Sequence, residues 1–310
     1  MANITAGMVK ELREMTGAGM MDCKKALAAT DGNMDDAVKF LREKGLAAAQ
    51  KKAGRIAAEG IVKAEVKNGV AAIVEVNSET DFVAKNEKFQ AYVGQVLDQI
   101  TTTSAADIDA FMKEAWCEDA SLTVEQALSE QVAVIGEKLS IRRFEKIALA
   151  ENGIADAYIH GGGRIGVLVY AESDVKSDEI AAALHQVSLQ IASMKPVYVS
   201  RDEMSDEFIA AEKETLLAAA KNEKPDAPEK VLEGIVMGRL NKELKEFCLL
   251  DQIYVFAEDG KQTIGQFIDS VGKKAGGKVT IKKFVRFETG EGIEKKQEDF
   301  AAEVAKQIGQ

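Results

Sequence analysis

The chain has 310 residues, more than one compact unit usually holds, and its 46% hydrophobic content is enough for real cores and excludes general disorder. Forty basic residues against 51 acidic ones leave a net charge of −11, which excludes a general nucleic-acid binder, although the first 55 residues carry ten bases and seven acids. Cys23, Cys117 and Cys248 stand far apart without a CxxC pair, and no apolar run nears the roughly 20 residues that span a bilayer, so no disulfide scaffold, zinc site or membrane span is expected.

Residues 1–45 predict three helices. Ile4 and Val9 can staple around the cap Thr5, with an apolar stripe at Met8, Val9, Leu12 and Met15. Gly17 and Gly19 break the chain before a second helix through Leu27; Asp31-Gly32-Asn33 turns into a third, expected to stop at Gly45. Residues 46–55, rich in Ala, Lys and Gln, read as a linker. The chain enters amphipathic helix directly, with no signal-peptide core, so a soluble, cytoplasmic protein is expected.

An α+β body follows. Strand-like Ile56–Val66 and Val70–Val76 are joined by Lys67-Asn68-Gly69, a strong hairpin signal. Helical periodicity runs through Phe89, Tyr92, Val93, Val96, Leu97 and Ile100, and again from Val124 to Leu139. Strands are predicted at Ile141–Ala150, Ile154–His160 and Arg164–Glu172, then a helix through Ile180, Leu184, Val187 and Ile191 that ends near Pro196. These make two successive strand-and-helix units, with the boundary placed at residues 140 and 141.

Residues 202–247 predict two long helices separated by Asn222-Glu223-Lys224-Pro225, the second capped by Asp226 with Glu229 completing a capping box. So short a turn implies a projecting antiparallel hairpin. Strand-like Ile253–Ala257 and Val279–Phe287 return the chain to the body through 248–290. A last amphipathic helix over 291–310 places Phe300, Val304 and Ile308 on one side.

Enzyme motifs fail one after another. Gly161-Gly162-Gly163-Arg164-Ile165-Gly166 spells GxGxxG, but the strand-like Val167-Leu168-Val169-Tyr170 follows where a dinucleotide site needs a helix. A nucleotide-binding enzyme using that turn is the rival reading. Gly272 to Lys278 spells G-x-x-x-x-G-K, yet Val279 stands where magnesium needs Ser or Thr. Asp31, Asn33 and Asp35 begin like a calcium loop, but Asp36 replaces the required glycine and Arg42 the bidentate glutamate. His160 and His185 have no ligand or nucleophile partners at recognisable spacing, and by pattern alone His160 is a turn residue. No catalytic residue, metal site or cofactor is expected.

The run Glu75-Val76-Asn77-Ser78-Glu79-Thr80-Asp81-Phe82-Val83-Ala84-Lys85 carries the most information. A strand ends in a polar turn, and an acid and a large aromatic then enter the first turn of a helix. Ser78 with Asp81 fits a capping box, and an acid there suits the helix dipole. On one continuous helix Phe82 would share the core face with Phe89, the commoner fate of a large aromatic. Asn86-Glu87 also reads as a fresh helix start, which would free it. Adjacent methionines Met20 and Met21 face different ways on their helix, so one can pack while the other binds.

This run closely resembles a signature of the bacterial elongation factor Ts family, and Leu12-Arg13-Glu14-Met15-Thr16-Gly17-Ala18-Gly19-Met20-Met21-Asp22-Cys23-Lys24-Lys25-Ala26-Leu27 resembles a second. The three helices also resemble the small ubiquitin-associated type of domain. The resemblance implies a three-helix domain and linker (1–55), a first core subdomain (56–140), a second (141–201 with 248–290) interrupted by the hairpin (202–247), and a C-terminal helical module (291–310). It implies a guanine nucleotide exchange factor that binds elongation factor Tu in its GDP-bound and nucleotide-free states. Thr80, Asp81, Phe82 and Val83 would displace magnesium from that GTPase, with Phe82 as the wedge. Arg13, Met20 and Met21, with the last helix, would hold another face of the G domain, and the turn at His160, Gly161 and Gly162 would grip the partner's third domain.

Overall fold

The computed structural model describes residues 4–294. The helix expected over 291–310, with Phe300, Val304 and Ile308, lies outside them beyond Glu294. The chain opens with helices α1 (Ala6–Thr16), α2 (Met20–Ala29) and α3 (Met34–Lys52). Strands β1 (Glu59–Lys67) and β2 (Val70–Ser78) lead to α4 (Asp81–Ala84), α5 (Glu87–Thr102), α6 (Ile108–Phe111), α7 (Val124–Ile135) and β3 (Leu139–Ala148). Then come β4 (Gly153–His160), β5 (Ile165–Ser173), α8 (Asp178–Met194), α9 (Asp206–Glu223), α10 (Glu229–Phe247), α11 (Ile264–Ala275) and β6 (Val279–Glu288). Short 3-10 turns at Arg201–Glu203 and Leu249–Asp251 flank the α9–α10 pair.

The strands form two antiparallel three-stranded sheets, β1-β2-β3 and β4-β5-β6, so the mixed α+β class stands. The central strands explain how they stack. Along β2, Ala72, Val74 and Val76 join Phe89, Val93, Val96 and Ile100 of α5 in one core. The alternate residues Ala71 and Ile73, with Val62 of β1, meet Leu168, Val285 and Phe287 of the second sheet. Side chains alternate across a strand, so a strand apolar on both faces needs a cover on both. On the far side Val167, Val169 and Ala171 of β5 pack under α8 and α11. The body is therefore helices, sheet, sheet, helices.

Several expectations change. β3 pairs with β2, from Val70 opposite Ala148 to Ser78 opposite Leu139, so the boundary between sheets falls at the Ala150–Gly153 turn and not at residue 140. Strand propensity marked the segment but not its partner, which is non-local. α3 runs through Gly45 to Lys52, because that glycine lies against α7: a Cβ there would meet Ser129 O and Ala133 Cβ at 3.5 Å. Arg42 ties the same two helices by pairing with Glu130 at 3.0 Å, and it reaches the loop before α7 by pairing with Asp119 at 2.9 Å. α7 stops at Ile135 on Gly136, whose φ of 88° only glycine adopts freely, and not at Leu139.

The hairpin helices pack through Leu216, Ala220, Leu232, Val236, Leu240 and Leu244. Asp226 does not cap α10; Pro228 holds that position without a side-chain bond, and its fixed φ of −58° preorganises the start. Ile253–Ala257 is no strand. It makes one bridge, Ile253 to Thr263, and then turns, with Tyr254 stacked on Phe267 at 4.3 Å. Met15, placed on the core stripe of α1, is exposed instead.

Candidate functional site

The run that ends β2 folds into a pedestal. Ser78 closes the strand, and its hydroxyl donates to the Thr80 carbonyl at 3.0 Å, so the capping box with Asp81 does not form. Thr80 is gripped from outside instead: its N–H donates to Glu137 Oε2 at 2.9 Å and its hydroxyl to Glu137 Oε1 at 2.7 Å. Glu79 accepts from the Lys138 N–H at 2.5 Å and from Arg55 at 3.2 Å. The turn between β2 and α4 is thus held by the link from α7 to β3 and by the end of the N-terminal helices.

On this pedestal α4 is one turn long. Asn86 accepts from the N–H groups of Lys88 and Phe89 and starts α5 afresh, as the Asn86-Glu87 pattern anticipated. The break decides the fate of two aromatics. Phe89 is fully buried under β2, while Phe82 is 80% exposed, the most exposed of the large hydrophobic side chains among the described residues. Val83 goes the other way. It is buried in the same core as Phe89, so within Thr80–Val83 it anchors α4 and Phe82 projects. Asp81 beside it is exposed and pairs with Lys85 at 2.7 Å, a hydrogen bond that holds its carboxyl below the usual range.

Met20 and Met21 occupy the first turn of α2, and both are exposed, at 59% and 63%. The expected division of labour between them does not occur; Cys23, Ala26 and Leu27 do the packing of α2. Arg13 is exposed in the last turn of α1, where its charge faces the helix's negative end and its carbonyl accepts the Gly17 N–H.

The third candidate group is the turn between β4 and β5. Gly161 and Gly162 have φ of 59° and 66°, and nothing lies within 4 Å of where a Gly162 Cβ would be. Gly163 does the inward work: its carbonyl accepts the Val62 N–H at 2.7 Å, and a Cβ would meet Ile61 Cβ at 2.9 Å. The turn leads into β5, with no helix N-terminus to receive a phosphate, and the GxGxxG reading fails on that geometry. His160 is exposed and shares a hydrogen bond with the Tyr158 hydroxyl through Nδ1 at 2.8 Å. His185 lies edge-on to the same ring at 5.5 Å and 3.3 Å from Asp156, so the two histidines flank one tyrosine, a grouping that spacing could not reveal.

The His160 turn and the Phe82 turn stand on two sheets packed face to face, the first strapped to β1 and the second growing from β2. Sequence reading missed Glu137, Glu79 and Tyr158, which orient these turns; Glu137 just beyond the α7 stop is the one with a local cue. Among the described residues no group of three or more His, Cys, Asp or Glu side chains is placed to hold a metal ion, and no helix is long and apolar enough to cross a membrane.

The family model described as "Elongation factor TS" matches residues 79–291, which takes in the Phe82 turn, β3, the whole second sheet and the hairpin. Elongation factor Ts of Clostridioides difficile (strain 630) is 51% identical over 310 residues, covering 99% of this chain and 100% of that one. The Clostridium botulinum (strain Eklund 17B / Type B) protein of the same name is 50% identical over 99% of each chain, and that of Clostridium novyi (strain NT) is 47% identical over 309 residues. With identity at this level from end to end, this chain belongs to the elongation factor Ts family.

Proposed function

We propose that this protein is the guanine nucleotide exchange factor of elongation factor Tu in translation elongation, working in the cytoplasm with no nucleic acid or membrane partner of its own. A member of this family acts as an exchange factor and makes or breaks no bond. It engages the GDP-bound GTPase, displaces magnesium, releases GDP and leaves the nucleotide-free partner to take up GTP. The observation that carries this reading is a large aromatic held out in water on a one-turn helix whose base is fixed by Val83 and Glu137. A protein gains nothing in stability from such a side chain. A wedge needs one, rigidly mounted.

The physics is linkage. A partner that prefers the nucleotide-free GTPase lowers its GDP affinity by the same factor by which GDP lowers the partner's own. Phe82 enters between elements beside the metal site, Asp81 adds negative charge there, and Thr80 and Val83 hold both in place. The loss of magnesium leaves the phosphates without charge neutralisation, which weakens GDP. Met20, Met21 and Arg13 hold another face of the G domain; paired exposed methionines suit an adaptable contact. His160, Gly161 and Gly162 grip the third domain, where two glycines without side chains allow close backbone approach. In modular terms we read a ubiquitin-associated-like head and linker over 1–55, a first sheet unit from 56 through β3, a second over 153–201 and 248–290, the projecting hairpin 202–247 and a terminal helical module 291–310.

Stopped-flow release of labelled GDP from elongation factor Tu tests the reading. Added protein should accelerate release severalfold or more, and rising free magnesium should suppress the acceleration. Release at the unassisted rate would overturn the assignment; acceleration indifferent to magnesium would overturn the displacement step.

A further inference from the structure

The two turns assigned to the partner stand on different sheets, and a buried carboxylate lies between them. Glu75 is on the face of β2 that meets the second sheet, and it has no exposed surface. Its Oε1 accepts from the Gly290 N–H at 2.8 Å, from Asn77 Nδ2 at 3.0 Å and from Arg142 at 3.0 Å; its Oε2 accepts from Arg143 Nε at 2.6 Å. Each arginine reaches on to the strand end after β6: Arg142 to the Glu291 carbonyl, Arg143 to the Glu288 carbonyl and the Glu291 carboxylate. The Arg143 guanidinium also lies 4.2 Å over the Phe287 ring in the core between the sheets. A buried charge is costly unless fully paired, and this one is paired across both sheets.

The bonds continue outward in both directions. Gly290 follows Thr289, whose N–H donates to the Arg164 carbonyl at 2.9 Å and whose hydroxyl donates to the Gly163 carbonyl at 2.9 Å. Gly163 and Arg164 close the His160 turn through their N–H groups on the His160 carbonyl. Toward the other turn, Asn77 bonds the Glu59 carbonyl, and Ser78 bonds Thr80 beneath Phe82. No residue at position 290 other than glycine fits, because a Cβ would run into the Ala58 carbonyl at a φ of 72°.

We infer that Glu75 is a positioning residue for exchange, clamping the first sheet to the segment after β6 so that the Phe82 and His160 turns meet one partner molecule at a fixed separation. The inference rests on the assignment of both turns to the partner. Two contacts on one rigid body reinforce each other because the first delivers the second at high effective concentration; a loosened clamp loses that gain without touching either contact.

The test measures GDP release from elongation factor Tu against factor concentration for wild type, Glu75→Gln, Thr289→Val, His160→Ala and the double variants. Thr289→Val cuts the next link outside the buried charges, so it carries the test if Glu75→Gln does not fold. Glu75→Gln should raise the half-saturating concentration about tenfold, and Thr289→Val about threefold, the worth of one hydrogen bond. In either background the loss caused by His160→Ala should shrink, because the second contact is no longer delivered by the first. Folded variants that saturate like wild type, with the His160→Ala loss unchanged, would overturn the clamp. So would a His160→Ala protein that exchanges normally, since no second grip would then need placing. A wild-type protein that fails to release GDP would instead sink the exchange-factor reading itself.

Discussion

The two sheet units run through the same order of elements. Each has a hairpin, a helix, a second helix and a closing strand that pairs with the middle one. The central strands β2 and β5 each carry a register shift, at Glu75/Val76 and Tyr170/Ala171. Each ends in a serine, Ser78 or Ser173, whose hydroxyl bonds the carbonyl two residues on. The units differ in their insertions. After β2 the first inserts α4 and Phe82 before its long helix, whereas after β5 the second goes straight to Ser177, which caps α8. The second instead inserts the α9–α10 hairpin before α11. Shared elements carry the cores; of the proposed partner contacts, Phe82 sits on an insertion, while the His160 turn is the second unit's counterpart of the turn between Lys67 and Val70.

That division predicts opposite outcomes for two phenylalanines seven residues apart. Phe89→Ala should cost about 3–5 kcal/mol of folding stability, as expected for emptying a fully buried aromatic site. A denaturant melt measures it, and a loss under about 1 kcal/mol would show that the core can collapse around the vacancy. Phe82→Ala should leave the melt unchanged within about 0.5 kcal/mol. Its effect should lie in exchange, about 2 kcal/mol or some thirtyfold in GDP release, the size of an interface anchor. If the melt shifts and exchange by the folded molecules does not, Phe82 belongs to the frame.

How far the sequence speaks depends on whether its signal is local. The Asn86 break could be read from Asn86-Glu87, and with it the possibility that Phe82 leaves the core face. The same is true of Thr5 and of the glycine turn between strands. The wedge role came from family resemblance, since pattern alone left core packing open. What failed was non-local. β3 carried its strand propensity but nothing that named β2 as its partner. Gly45 looked like a stop because α7 was out of view. α11 went unnoticed, although Thr263 and Gln266 spell the same capping box as Thr123 and Gln126. Glu75 offered no cue as the single acid in an aliphatic strand.

Acid should loosen the junction between the units before their cores. Burial alone would raise the Glu75 pKa, but the bonds from Gly290, Asn77 and Arg142 and the Arg143 charge outweigh it and leave it lowered. Bonds from Arg286 and Lys195 hold Glu288 at about 2. A carboxyl depressed in the folded state adds stability above its unfolded value, near 4.3 for glutamate, and loses it as pH falls through the folded value. Urea midpoints should therefore decline from about pH 4.3 toward pH 2, and Glu75→Gln should decline less steeply. An equal slope in both proteins would place the acid lability elsewhere.

The smallest effect addresses the likeness of the units most directly. Both second helices begin in one device: Thr123 and Thr263 each accept the N–H of the glutamine three residues on at 3.2 Å. Those glutamines, 126 and 266, return a bond from the threonine N–H at 2.9 and 3.0 Å. Thr123→Ala and Thr263→Ala should each cost about 1 kcal/mol, and the double variant should lose the sum within about 0.5 kcal/mol because the caps share no partner. The bridges are alike as well: Thr123 pairs with Ala115 and Thr263 with Ile253. What differs is where the bridged segment leads, since Ile253 follows the α9–α10 hairpin through the Leu249–Asp251 turn. If the Thr263 loss clearly exceeds the Thr123 loss, the hairpin insertion leans on the cap of α11 through its bridge. Equal losses would leave α7 and α11 as interchangeable parts of two frames that differ only in what is inserted into them.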